Sequence, residues 1–140
     1  MTHIRIAFNL KTMTREQEEL LLKDLCARFP YEVKFKIKYQ DGTWRLFVIY
    51  KYGKIYVIGA GGYPIEVNFT DCQPYLFPLS SMTEEQKMFL KQQNWCIAMS
   101  TSGTVETTVE GIDWLNKNHF DYRGLIEKGL AIDATGLNIY

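Results

Sequence analysis

Between residues 32 and 58 charged and apolar side chains alternate so regularly, with glycine at the breaks, that few folds remain open to this chain. Val33, Phe35, Ile37 and Tyr39 share one parity and Lys34, Lys36 and Lys38 the other. That is the period of a strand with one packed face and one wet face. The runs 44–52 and 54–58 follow through Gln40-Asp41-Gly42-Thr43 and Tyr52-Gly53, whose glycines supply the backbone conformations that hairpins require. The pattern predicts an antiparallel meander. Residues 4–10 read as another half-buried strand, and residues 65–69 as one more beyond the bend Gly59-Ala60-Gly61-Gly62.

Helices are signalled by their caps. Thr14 with Gln17 forms a capping-box pattern ahead of the stripe Leu21, Leu22, Leu25, Cys26 and Phe29, and Pro30 ends the run. Either Ser81 with Glu84 or Thr83 with Gln86 opens a second helix, extending to about Gln92. Residues 95–99 read as a strand or a buried link, and residues 100–103 as a loop. A third helix passes through Trp114 and Leu115 and stops near Asn118. A fourth, capped by Asp121, runs to Lys128 with Gly129 past its end. Pro74-Tyr75-Leu76-Phe77-Pro78 is an extended, proline-stiffened crossing segment whose apolar residues favour burial.

These elements predict an α+β fold: an antiparallel sheet of four to five strands, an N-terminal helix packed on it and a C-terminal helical segment. At 140 residues the chain suits one domain, with residues 1–70 supplying helix and sheet and residues 74–140 a mainly helical part against them.

The 16 basic and 16 acidic residues cancel, so no global field draws the protein to nucleic acid or to an anionic membrane. They are unevenly placed: residues 1–54 carry 11 basic and 6 acidic side chains, residues 55–140 carry 5 and 10. No apolar stretch approaches the roughly 20 residues that span a bilayer. The first residues lack the pattern of a secretion signal. Cys26, Cys72 and Cys96 are odd in number and widely spaced, which suits buried thiols in a reducing compartment. The expectation is a cytoplasmic protein without a membrane partner.

Catalytic motifs are weak. Gly59-Ala60-Gly61-Gly62 lacks the helix that a dinucleotide-binding loop requires, because Pro64 and Ile65-Glu66-Val67 follow it. His3 and His119 lie far apart, and the cysteines show no metal-ligand spacing, so neither metal nor cofactor is expected. Cys26 on an apolar stripe and Cys96 beside Trp95 read as buried, and Asp71 next to Cys72 disfavours a thiolate.

The densest concentration of functional residue types lies in 113–130, where Trp114, His119, Phe120, Asp121, Tyr122 and Arg123 crowd together. Aromatics and arginine are enriched at interface centres, which points to a protein partner or to self-association. Tyr122 and Arg123 are expected to be the exposed members. A second reading takes Lys34, Lys36, Lys38, Arg45 and Lys51 as a basic ribbon for nucleic acid, with Tyr50, Tyr52 and Tyr56 as stacking partners. A third takes His119 and Asp121 as a small hydrolytic or acid/base site. The plainer account has Asp121 capping a helix and Arg123 pairing with Asp113 or Glu127.

Three blocks carry a resemblance: Leu21 through Tyr31, Pro74 through Glu85, and Asp113 through Ala131. In them the chain resembles a family of small uncharacterised proteins encoded in gut Bacteroidales genomes, often within phage or other mobile elements. The resemblance implies an intracellular, mobile-element context and transfers no catalytic residues. Together these features predict a non-enzymatic binding protein, an adaptor or inhibitor that engages a macromolecule.

Overall fold

The computed structural model describes residues 13–38, 40, 42–49, 54–59, 62–99 and 105–140. The strand expected over 4–10, the loop at 100–103, Lys51, His3, Tyr39, Tyr50 and Tyr52 lie outside them.

Helix α1 (Arg15–Arg28) starts on the predicted capping box: the Thr14 hydroxyl accepts from Gln17 N–H at 3.1 Å, and Gln17 Oε1 accepts from Thr14 N–H at 3.0 Å. A 3-10 turn, Phe29–Tyr31, carries Pro30 where no amide hydrogen is needed, and Glu32 in a left-handed conformation redirects the chain. Strands β1 (Lys34–Ile37), β2 (Trp44–Ile49), β3 (Lys54–Ile58) and β4 (Pro64–Asn68) form the expected meander. Val33, Phe35 and Ile37 are buried, as the alternation requires.

The sheet is larger and of different character than expected. The Pro74 to Pro78 segment is no crossing segment but the body of strand β5 (Cys72–Pro78), which pairs antiparallel with β1 through Phe35/Pro74, Lys36/Gln73 and Ile37/Cys72. The far edge of β5 is covered in parallel by two short strands, β8 (Phe120–Asp121) and β9 (Ile132–Asp133). The result is a mixed, open, seven-stranded sheet in the order β4-β3-β2-β1-β5-β8, with β9 also on β5. The α+β class stands; an all-antiparallel sheet of four to five strands does not. Residues 74–140 therefore contribute most of β5 and all of β8 and β9 to this sheet, as well as helices.

One topological detail shapes the molecule. Only the turn Phe69–Asp71 joins β4, at one edge, to β5, which lies beyond β1. Four chain steps reach about 14 Å, whereas four strand spacings across a flat sheet span about 19 Å. The sheet must curl, and a register shift in β2 between Leu46 and Val48 introduces a bend. Phe69 and Cys72 consequently join Phe35, Ile37, Ile55 and Val57 in one core beneath Leu21 and Leu25 of α1.

Helix α2 (Glu84–Gln93) begins at the Thr83/Gln86 capping box, the second of the two alternatives, and ends at left-handed Asn94. Strands β6 (Ala98–Met99) and β7 (Val105–Glu106) pair, and helix α3 (Val109–Lys117) ends at Asn118. The expected fourth helix is absent. Asp121 does cap the segment, accepting from the N–H groups of Leu125 at 3.0 Å and Ile126 at 2.9 Å, but residues 125–129 form only turns. Gly124 and Gly129, both at φ +73°, bound them and hold the segment to a compact loop that buries Leu125 and Leu130 against Val33 and Leu76.

The face of α1 that packs inward differs from the purely apolar stripe of the sequence reading. It consists of Leu21, Asp24, Leu25 and Arg28, with both charged side chains fully enclosed, while Cys26 and Phe29 are exposed. Arg28 Nε donates to Asp24 Oδ2 at 2.8 Å and Arg28 Nη2 to the Phe120 carbonyl at 2.6 Å. Arg123 Nη1 donates to Asp24 Oδ1 at 2.8 Å. Removing the shared carboxylate strands a buried guanidinium. Asp24→Ala is therefore expected to cost about 3–5 kcal/mol in urea denaturation. The double variant Asp24→Leu/Arg28→Met should recover much of that loss, and equal losses in both would show that the charges are not coupled.

Candidate functional site

In the 113–130 region most of the polar residues singled out by sequence turn inward. Phe120 and Asp121 are buried. Both oxygens of Asp121 accept backbone N–H groups. Tyr122 donates its hydroxyl to Asn116 Oδ1 at 2.9 Å, and its ring lies beneath two guanidiniums, those of Arg28 at 5.3 Å and Arg123 at 4.5 Å. Arg123 pairs with Asp24, not with Asp113 or Glu127. Tyr122 and Arg123, expected to be exposed, hold the loop to α1.

His119 sits apart from Asp121 in function. It occupies a left-handed conformation at φ +63°, its carbonyl accepts from Phe77 N–H at 2.8 Å, and its ring stacks on Tyr140 at 3.6 Å. The Tyr140 hydroxyl in turn donates to the Tyr75 carbonyl at 2.8 Å and accepts from Lys34 N–H at 2.9 Å, which bridges β1 and β5 where their ladder opens. Burial, then the positive charges of Arg28 and Lys34, push the imidazole down to about 4. No hydrogen bond joins His119 to Asp121. An open pocket of about 420 Å³ lies beside His119; Ser81 is committed to the Pro78 carbonyl, Thr83 and Gln86 to each other's amides, and Asn118 to the Trp114 carbonyl, while Lys117 also lines it and His119 Nδ1 is buried without a hydrogen-bond partner among the described residues. The arrangement does not assemble an imidazole and a carboxylate around a reacting atom.

The basic ribbon is divided. Lys34 extends over the Tyr140 ring and donates to the Ile139 carbonyl at 2.9 Å, and Arg45 faces Glu32 at 3.6 Å. Lys36 is exposed and Lys38 half-buried, with Lys51 outside the described residues. Among the thiols, Cys96 is exposed rather than buried. Cys72 is buried, pushed up to about 12 by desolvation and then by Asp71. Among the described residues no group of three or more His, Cys, Asp or Glu side chains is placed to hold a metal. No described helix is long and apolar enough to cross a membrane.

What the structure assembles at the surface is aromatic. Trp114 stacks on buried Phe120 at 5.6 Å and on Phe89 of α2 at 6.3 Å, and Phe89 meets Trp95 edge-on at 5.9 Å. Phe89 nevertheless remains 40% exposed, with Met88 and Val109 also in solvent. Trp95 is shared by two open pockets. On one side Leu79, Met82, Leu90 and Ile97 line a volume of about 420 Å³, with Lys87 and Lys91 beside them. On the other, Tyr31, Phe89, Trp95 and Trp114 line about 360 Å³. Glu110, Asp113 and Lys117 of α3 complete the second pocket. Of the sequence candidates only Trp114 belongs to this face. Phe89 and Trp95 were missed because each reads as an ordinary core residue, Phe89 between Met88 and Leu90 and Trp95 at the head of a short apolar run, and only the packing of α2 against α3 joins Phe89 to Trp114.

Comparison with protein-family models, with curated proteins and with solved structures gave no match.

The His119 environment carries a sign for pH dependence. The unfolded histidine takes up its proton near 6.5, and the folded one only near 4, so the unfolded state binds more protons between these values. Stability is full above about pH 6.5 and falls as pH drops toward 4. With screening of a partly exposed ring, the loss is on the order of 1–2 kcal/mol. His119→Gln should flatten this slope in denaturation midpoints measured at pH 7 and pH 5; an unchanged slope would contradict the buried imidazole.

Proposed function

We propose that this protein acts by binding a protein partner, and that the partner docks on the face built by Phe89, Trp95 and Trp114. The observation that carries the reading is Phe89, 40% exposed while stacked on Trp114 and edge-on to Trp95, beside two open pockets that share Trp95. Rigid rings of this kind bury much area at little entropic cost, and exposed apolar clusters on folded proteins mark interaction sites. The lack of a hydrogen bond between His119 and Asp121, whose oxygens both accept backbone N–H groups, weighs against an acid/base reading there. The engagement of Lys34 with Tyr140 and the Ile139 carbonyl, and the surface pairing of Arg45 with Glu32, likewise weigh against a nucleic-acid ribbon.

On this reading the protein is an intracellular adaptor or inhibitor, in keeping with the mobile-element context that its resemblance implies. The 113–130 segment contributes Trp114 directly and serves otherwise as the support that holds α3 in place.

Panning a displayed random-peptide library on the purified protein tests the proposal. Peptides should be recovered whose capture falls at least about tenfold on Phe89→Ser, with the spectral dispersion of the variant confirming that the fold is intact. Recovery of no peptides, or of peptides indifferent to Phe89→Ser, would refute it.

A further inference from the structure

The partner's chemistry at this face can be specified further, resting on the binding reading above. The two pockets flanking Trp95 are not equivalent. One is aliphatic. The other combines four aromatic rings, Tyr31, Phe89, Trp95 and Trp114, with two exposed carboxylates, Glu110 and Asp113, three residues apart on α3. Residues at that spacing occupy one side of a helix, so both acids border the same pocket as the rings. Aromatic faces carry negative potential and attract cations, best when the cation is shielded from water. Two carboxylates beside such faces complement a positive charge, and Lys117 offsets only one of them.

We infer that the Tyr31/Phe89/Trp95/Trp114 pocket takes the guanidinium of an arginine side chain presented by the protein partner, stacked on the rings and paired with Glu110 and Asp113. A guanidinium is favoured over an ammonium because it is planar, weakly hydrated and able to stack and to bind carboxylate at once. The molecule uses this same combination internally: Arg28 and Arg123 lie over the Tyr122 ring while Asp24 bridges them. The volume, about 360 Å³, accommodates a guanidinium and its aliphatic stem, and the aliphatic pocket across Trp95 is placed to take a neighbouring apolar residue.

The test uses the whole protein and three small probes, the N-acetyl amides of arginine, lysine and norleucine, followed through the indole N–H signals of Trp44, Trp95 and Trp114 at low salt. Arginine amide should move Trp95 and Trp114 saturably, with a dissociation constant on the order of millimolar, and leave Trp44 in place. Lysine amide should bind several-fold more weakly and norleucine amide not at all. Glu110→Gln and Asp113→Asn should each weaken arginine binding by about three- to tenfold, with spectral dispersion confirming that the fold is intact. Arginine binding undiminished in the double variant, or matched by lysine or norleucine, overturns the inference. So does the absence of any saturable arginine shift. If library peptides sensitive to Phe89→Ser are then still recovered, the guanidinium assignment alone has failed; if none are recovered, the binding reading has failed with it.

Discussion

The enclosed charge of Arg28 is the constraint around which the rest of this molecule is arranged. A guanidinium removed from water costs several kcal/mol unless its charge and hydrogens are met inside. Here they are met by Asp24 one helical turn away, by the Phe120 carbonyl and by the Tyr122 ring. Asp24 uses its second oxygen for Arg123, so that one carboxylate serves two cations from distant parts of the chain. The consequence is positional. Strands β8 and β9 are two residues each and would hold β5 weakly by backbone pairing alone; the buried network fixes the intervening loop against α1 and sets where β8 meets β5. Arg28 Nη1 remains without a hydrogen-bond partner among the described residues, so the network is specific rather than fully satisfied.

From that anchor a line of rings runs outward. Tyr140 stacks on His119 and contacts Phe77, Phe77 contacts Phe120, and Phe120 stacks on Trp114, which reaches Phe89 and Trp95 at the surface. Each ring constrains the next, so the exposed aromatics rest on a braced foundation continuous with the sheet. Pre-ordered rings lose little freedom on binding, which is what a docking face needs. The same packing explains why the half-buried His119 imidazole is pushed down to about 4: its ring is one link in this line, and the cations Arg28 and Lys34 lie near it.

Local signals in the chain were legible because they depend on neighbours in sequence. The Thr14/Gln17 and Thr83/Gln86 capping boxes, the β1–β4 meander with its alternating burial, and the end of α3 at Asn118 all arise from interactions over two to four residues. The Asp121 cap was legible too, although the glycines at 124 and 129 make residues 125–129 a loop instead of a helix. Misjudged elements share a different cause. Asp24 and Arg28 look like solvent positions until Arg123 and the Phe120 carbonyl arrive from about a hundred residues downstream. The residues of β5 look like a crossing segment because Pro74 removes one ladder donor, and a strand's partners leave no local mark. Phe89 and Trp95 become a site only when α2 lies beside α3.

By itself, then, the sequence determined the α+β character, the helix starts, the four-strand meander and the concentration of chemistry near residues 113–130. Those features rest on periodicity, capping and turn propensity, whose free energies are local. The tertiary structure alone decided the mixed, curled sheet, the inward fate of Asp121, Tyr122 and Arg123, and the surfacing of an aromatic pocket around Phe89, Trp95 and Trp114. Charge neutralisation and ring packing join residues far apart in the chain, and no spacing along it encodes which of them will meet.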